Sequence, residues 1–214
     1  MSADFLEGML TSNNKLCMEL AIVYIHSAES LSDFYVNVIA PCLYEVGRLW
    51  EEGEISAAQE HLATAIVSRV MSVMYGPFVL GNRTKGKAVM ITAPGEEHDL
   101  GARMTADLLE MDGWQVDYLD AQSPIIDSLK LLRENQPYLL GIAITMPFNI
   151  EPVRRLIEKI KKDYRLQSIK VMVGGQAAAF SPQLWQKIGA DGYCVDSQEA
   201  VKLAAEWWEK RSGK

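Results

Sequence analysis

The chain has 214 residues, 49% of them hydrophobic and 23% charged, with a net charge of −7. That balance describes one large or two small globular domains with ample core, and an acidic surface without a basic block argues against direct nucleic-acid binding. No apolar run has signal-peptide form or approaches the roughly 20 residues of a membrane span, and the isolated Cys17, Cys42 and Cys194 make no disulfide framework, so buried thiols in a cytoplasmic protein are expected.

Residues 14–27 and 30–51 carry apolar positions at helical spacing, with Ile39, Leu43, Val46 and Trp50 in one stripe. Pro41 should kink or restart the second stretch, because it offers no N–H to the preceding turn. After the Glu51–Glu54 break, Ser56 and Gln59 form a capping box that opens a helix to about Tyr75. Its expected inner stripe is Leu62, Ile66, Val70 and Val73. Residues 1–78 thus read as a helical bundle. His26 and the methionines Met9, Met71 and Met74 read as structural.

Residues 79–87 read as a polar linker. Gly81–Lys87 mimics a phosphate loop, but Ala88 stands where a magnesium-binding hydroxyl belongs, and the segment precedes a strand instead of following one.

From residue 88 to 214, strands and helices alternate. Strands are expected at 88–92, 115–119, 140–144, 171–173 and near 193–195, with helices at about 100–112, 125–135, 151–163, 182–188 and 197–210. This alternation predicts an α/β domain: a flavodoxin- or Rossmann-like, five-stranded parallel sheet covered on both faces. In such sheets ligands lie beyond the carboxyl ends of the strands, which singles out loops 93–101, 145–149 and 174–178.

Three groups of residues stand out. Glu96-x-His98-x-x-Gly101 directly follows the first strand, so His98 can project from the sheet edge as a metal ligand while Glu96 accepts its second N–H. Gly101 lets a bulky group pass close to the backbone. Gly174-Gly175 follows the fourth strand and removes side chains from a second loop on that edge. In the first part, Trp50 ends one helix and Glu60-His61 sits in the first turns of the next.

The sheet motifs resemble the cobalamin-binding domains of B12-dependent methyltransferases, mutases and light sensors, which carry [DE]-x-H-x-x-G, then S-x-L, then GG. The resemblance implies that His98 replaces the cofactor's own dimethylbenzimidazole as the lower cobalt ligand. It also implies that the displaced nucleotide tail inserts beside Gly101, Gly174 and Gly175. At S-x-L the chain instead has Ala143-Ile144-Thr145, so the serine hydroxyl is absent, and Thr145 or Asn149 stands as its replacement.

The W-x9-E-H spacing resembles the helical cap of CarH-type adenosylcobalamin photoreceptors. Their DNA-binding domain is not read here, and Glu51 stands where some members have a histidine after the Trp. This resemblance implies that Trp50 packs on an adenosyl group, Glu60 hydrogen-bonds it and His61 helps close the upper face.

The leading expectation is therefore a non-enzymatic (photo)sensor holding adenosylcobalamin, signalling through self-association or a regulatory partner. The alternative is a corrinoid methyl carrier of a methyltransferase system, for which methylcobalamin is the natural form. A cobalt-free flavodoxin-like domain with coincidental motifs is the third possibility.

Overall fold

Local capping and apolar periodicity set the helices of the first part. In the computed structural model, which describes residues 1–78, 83–119, 123–179 and 183–212, these are α1 (Ser2–Leu10), α2 (Asn14–Tyr24), α3 (Ala28–Phe34), α4 (Ala40–Glu51) and α5 (Ala57–Tyr75). The chain divides into two compact units, Met1–Gly81 and Asn82–Lys214. Of the expected linker, residues 79–82 lie outside the described set.

Ser27 and Ser56 each close a capping box, with Ser30 and Gln59 respectively, satisfying N–H groups that the first helical turn leaves open. Between α3 and α4, residues Tyr35–Ile39 widen into a π-helical turn, and Pro41 falls in the first turn of α4. The wider turn accommodates the hydrogen bond that proline cannot make, so in place of the kink or restart expected there the helical backbone runs on through Pro41.

Three readings of this part need correcting. Helix α1 was not anticipated; it forms because Phe5, Gly8 and Met9 are buried, with Gly8 packed so closely on Cys17 that a Cβ would lie 2.6 Å from Sγ. On α5 the buried face is Ala63, Ile66, Val67, Val70, Met71 and Met74, whereas Leu62 and Val73 are each 53% exposed. Apolar residues surround much of this helix, so periodicity alone chose the wrong edge of the stripe. Trp50 likewise leaves the α4 stripe and is 46% exposed.

The second unit holds β1 (Lys87–Thr92), α6 (Leu100–Met111), β2 (Gln115–Leu119), α7 (Ile125–Asn135), β3 (Leu139–Ala143), α8 (Ile150–Lys162) and β4 (Lys170–Gly174). It continues with short helices α9 (Gln176–Ala179) and α10 (Leu184–Lys187), the two-residue β5 (Gly192–Tyr193) and α11 (Ser197–Ser212). All strand pairs are parallel, in the order β2-β1-β3-β4-β5. The expected five-stranded sheet is therefore present, with the flavodoxin-like strand order.

Strands β1, β3 and β4 are buried on both faces, as near-continuous apolar runs require. Val89, Ile91, Leu140 and Ile142 face one core with α7 and α8. Ala88, Met90, Leu139 and Met172 face another, which includes Ala102 and Ala106 of α6 and Ala200 and Ala204 of α11. The strand order reverses between β1 and β3, and a ligand crevice is expected at the carboxyl ends of that pair.

Candidate functional site

Directly after β1 the backbone turns through Pro94 and Gly95, the latter at φ +81°, a left-handed conformation that glycine adopts without strain. The turn brings Glu96 back over the sheet edge. Its residue is only 1% exposed, yet its carboxylate is fully engaged. Oε2 accepts from the backbone N–H groups of Thr145 (3.1 Å) and Met146 (2.9 Å) and from the Asn149 side-chain amide (3.0 Å). Oε1 accepts from the His98 backbone N–H at 3.2 Å and pairs with His98 Nδ1 at 2.5 Å.

Burial alone would push this carboxyl up. The His98 ring, the Met146 N–H and the Asn149 amide together outweigh burial and hold it down at about 2, so Glu96 is an anion at neutral pH. One buried carboxylate thus ties the loop after β1 to the loop after β3, across the point where strand order reverses.

The consequence falls on His98, whose side chain is 53% exposed. With Nδ1–H given to Glu96, the neutral ring presents its lone pair at Nε2, and the carboxylate raises the basicity of that nitrogen. An imidazole so oriented suits cobalt. Gly101 is exposed in the first turn of α6, and a Cβ there would meet nothing within 4 Å. The donor chemistry and the open backbone at Gly101 both fit a corrinoid with its nucleotide tail displaced.

The glycine pair has a second use in this chain. A Cβ on Gly175, at φ +95°, would lie 2.6 Å from the Ile144 carbonyl oxygen, and one on Gly174 would lie 3.0 Å from Cys194 Sγ. Both glycines therefore let neighbouring chain approach. Asn149, one of two candidates for the missing serine contact, has its amide N–H committed to Glu96, and Thr145 enters the site through its backbone N–H. Neither role was expected. They depend on a segment 49 or more residues from Glu96, which local spacing does not reveal.

Trp50, Glu60 and His61 are placed on the last turn of α4 and the first turns of α5. Glu60 Oε2 pairs with His61 Nδ1 at 2.6 Å, and Oε1 accepts from Thr64 Oγ1 at 2.8 Å. The His61 side chain is 78% exposed. No hydrogen bond or ring contact among the described residues joins Trp50 to this pair. Cys17, Cys42 and Cys194 are buried and unbridged, and burial pushes their thiols up to about 11, 11 and 12.

Two family models match, each described as a B12 binding domain, over residues 86–205 and 2–75. The chain belongs to this family of B12-binding proteins. It is similar to the dimethylamine corrinoid protein 1 of Methanosarcina mazei, 30% identical over 173 residues covering 79% of each chain. It is equally similar to the dimethylamine corrinoid protein of Methanosarcina barkeri, 30% identical over 180 residues and 82% of each chain. The solved structure of the Methanosarcina barkeri monomethylamine corrinoid protein shares the fold, with a TM-score of 0.82 at 22% identity, over 94% of this chain and 95% of that one.

These relatives overturn the light-sensing expectation. They carry the names of methylamine corrinoid proteins, so the W-x9-E-H spacing does not mark a photoreceptor here, and a signalling partner loses its basis. No helix among the described residues is long and apolar enough to cross a membrane.

Proposed function

We propose that the protein is a corrinoid methyl carrier, holding cobalamin with His98 as lower axial ligand and presenting it to methyltransferase partners that act on methylated amines. The observation that carries this reading is the Glu96–His98 pair. A fully buried carboxylate, fixed by donors from a second loop, holds a half-exposed imidazole by its Nδ1 at the carboxyl edge of the sheet. The similarity to dimethylamine corrinoid proteins supports the substrate class.

When bound, the corrinoid supplies a cobalt atom able to take up and release a methyl group. Glu96 holds the tautomer and basicity of His98, and Gly101 keeps the backbone clear for the nucleotide tail. Trp50, Glu60 and His61 are the helical unit's contribution to cofactor binding. In this role the chain carries the group, while bond-making catalysis belongs to its partners.

The test compares methylcobalamin with adenosylcobalamin for binding in the dark, then loads the protein with cobalamin held as Co(I) by a strong reductant and follows an isotope-labelled methyl group from dimethylamine onto that cobalt in the presence of an amine-specific methyltransferase. Methylcobalamin should bind at least as tightly, and the label should reach the loaded protein. Preference for adenosylcobalamin with no label transfer would contradict the proposal.

A further inference from the structure

The face of the sheet opposite α6 and α11 carries a groove between α7 and α8. It is an open depression of about 630 Å³, walled by Pro94, Ile125, Pro152 and Leu156. Pro94 directly precedes the Gly95 turn that carries Glu96, and Pro152 lies in the first turn of α8, so the groove reaches the carboxyl edge of the sheet. Two large apolar side chains stay exposed at that end. Ile126, beside Ile125, is 66% exposed, and Phe148, in the turn leading into α8, is 68% exposed. Exposed apolar groups rimmed by charge mark surfaces that meet another protein.

The rim is cationic. Arg155, Lys159 and Lys162 recur at helical spacing on one face of α8, against the single carboxylate of Glu158. The whole helix sets five cations and two carboxylates in 13 residues, within a chain of net charge −7. Arg155 pairs with Glu151 at 2.9 Å and Lys162 with Glu158 at 2.5 Å, both from solvent-facing side chains. Such pairs hold weakly, so a partner's carboxylate can replace the helix's own. Lys159 is exposed and makes no ion pair among the described residues.

We propose that the amine-specific methyltransferase anchors in this groove, inserting an apolar side chain flanked by carboxylates. The inference rests on the proposed methyl-carrier role and names the surface through which that role is exercised. Two features select this occupant. The cationic rim complements an acidic element and discriminates against basic ones. The groove also ends at the turn that carries Glu96 and His98, which makes it continuous with the edge where a partner must meet the cobalt. An anchor on this flank leaves the α6 and α11 side of the sheet unobstructed.

The experiment uses full-length protein loaded with Co(I) cobalamin as the substrate of a dimethylamine methyltransferase, and measures KM and kcat for transfer of a labelled methyl group from dimethylamine. It compares wild type, Lys159→Glu, Ile126→Ser and, as a charge control on α11, Lys202→Glu, all at exposed positions. Lys159→Glu should raise KM about tenfold and Ile126→Ser about threefold, with kcat and corrinoid affinity kept. Salt at about 0.5 M should raise the wild-type KM and leave that of Lys159→Glu little changed. Lys202→Glu should match wild type. A wild-type KM in both groove variants, or an equal rise in Lys202→Glu, would overturn the inference. Self-association of the protein alone that Lys159→Glu abolishes would assign the groove to a second copy and overturn it as well. Absence of methyl uptake by wild type would instead sink the methyl-carrier reading, and the anchor with it.

Discussion

Glu96 and Glu60 each precede or adjoin a histidine and pair with its Nδ1, at 2.5 and 2.6 Å, yet they are built differently. Glu96 is buried and draws its remaining donors from residues 145–149, on another strand's loop. Glu60 is 24% exposed by side chain and finds both partners within four residues on its own helix. Convergence of distant segments on one carboxylate fixes a ligand in advance. A pair held by one helix turn leaves the imidazole 78% exposed and free of any such constraint.

The contrast is broken most severely at Glu96. Glu96→Ala strands three buried or half-buried N–H donors and releases His98. It should cost about 3 kcal/mol of stability by denaturant unfolding and lower corrinoid affinity roughly 10- to 100-fold. Gly175→Ala forces a side chain into a left-handed backbone position and against the Ile144 carbonyl, so about 2 kcal/mol should be lost in the same unfolding assay. His98→Ala sharpens the comparison. Its half-exposed ring supports little packing but is a hydrogen-bond partner of the buried Glu96, so stability should fall by about 1 kcal/mol, less than in Glu96→Ala, while corrinoid affinity falls roughly 10-fold or more.

Smaller effects belong to the helical unit and the thiols. Glu60→Ala should change stability by about 0.5 kcal/mol or less, as expected for a pair whose imidazole is solvent-facing. The three thiols titrate well above pH 8, because burial disfavours the thiolate, so at that pH under about 0.1% is ionised. Folded protein at pH 8 should resist alkylation by iodoacetamide, and denaturant should expose all three cysteines.

The two regions also differ in how far they could be read before the fold was known. Strand–helix alternation set out the sheet, and Glu96-x-His98 placed ligand and orienting carboxylate two residues apart, a purely local relation. The rest of the site is tertiary. Met146 and Asn149 become donors to Glu96 only because β1 and β3 are neighbours. In the helical unit, W-x9-E-H is a spacing between two helices whose apolar residues face several directions. It pointed to a known cap without fixing a function, and the stripe on α5 was misjudged for the same reason. Helix α1 went unread because its support, the Gly8–Cys17 contact, is also tertiary.

The account stands or falls on which nitrogen meets the metal. Paramagnetic resonance of the protein loaded with Co(II) cobalamin, prepared with natural and with 15N-labelled histidine, reports that atom directly. A nitrogen triplet that becomes a doublet on labelling is the predicted result, and it should vanish in His98→Ala. A triplet indifferent to the label would mean that the cofactor keeps its own base on cobalt, contrary to the role assigned to His98.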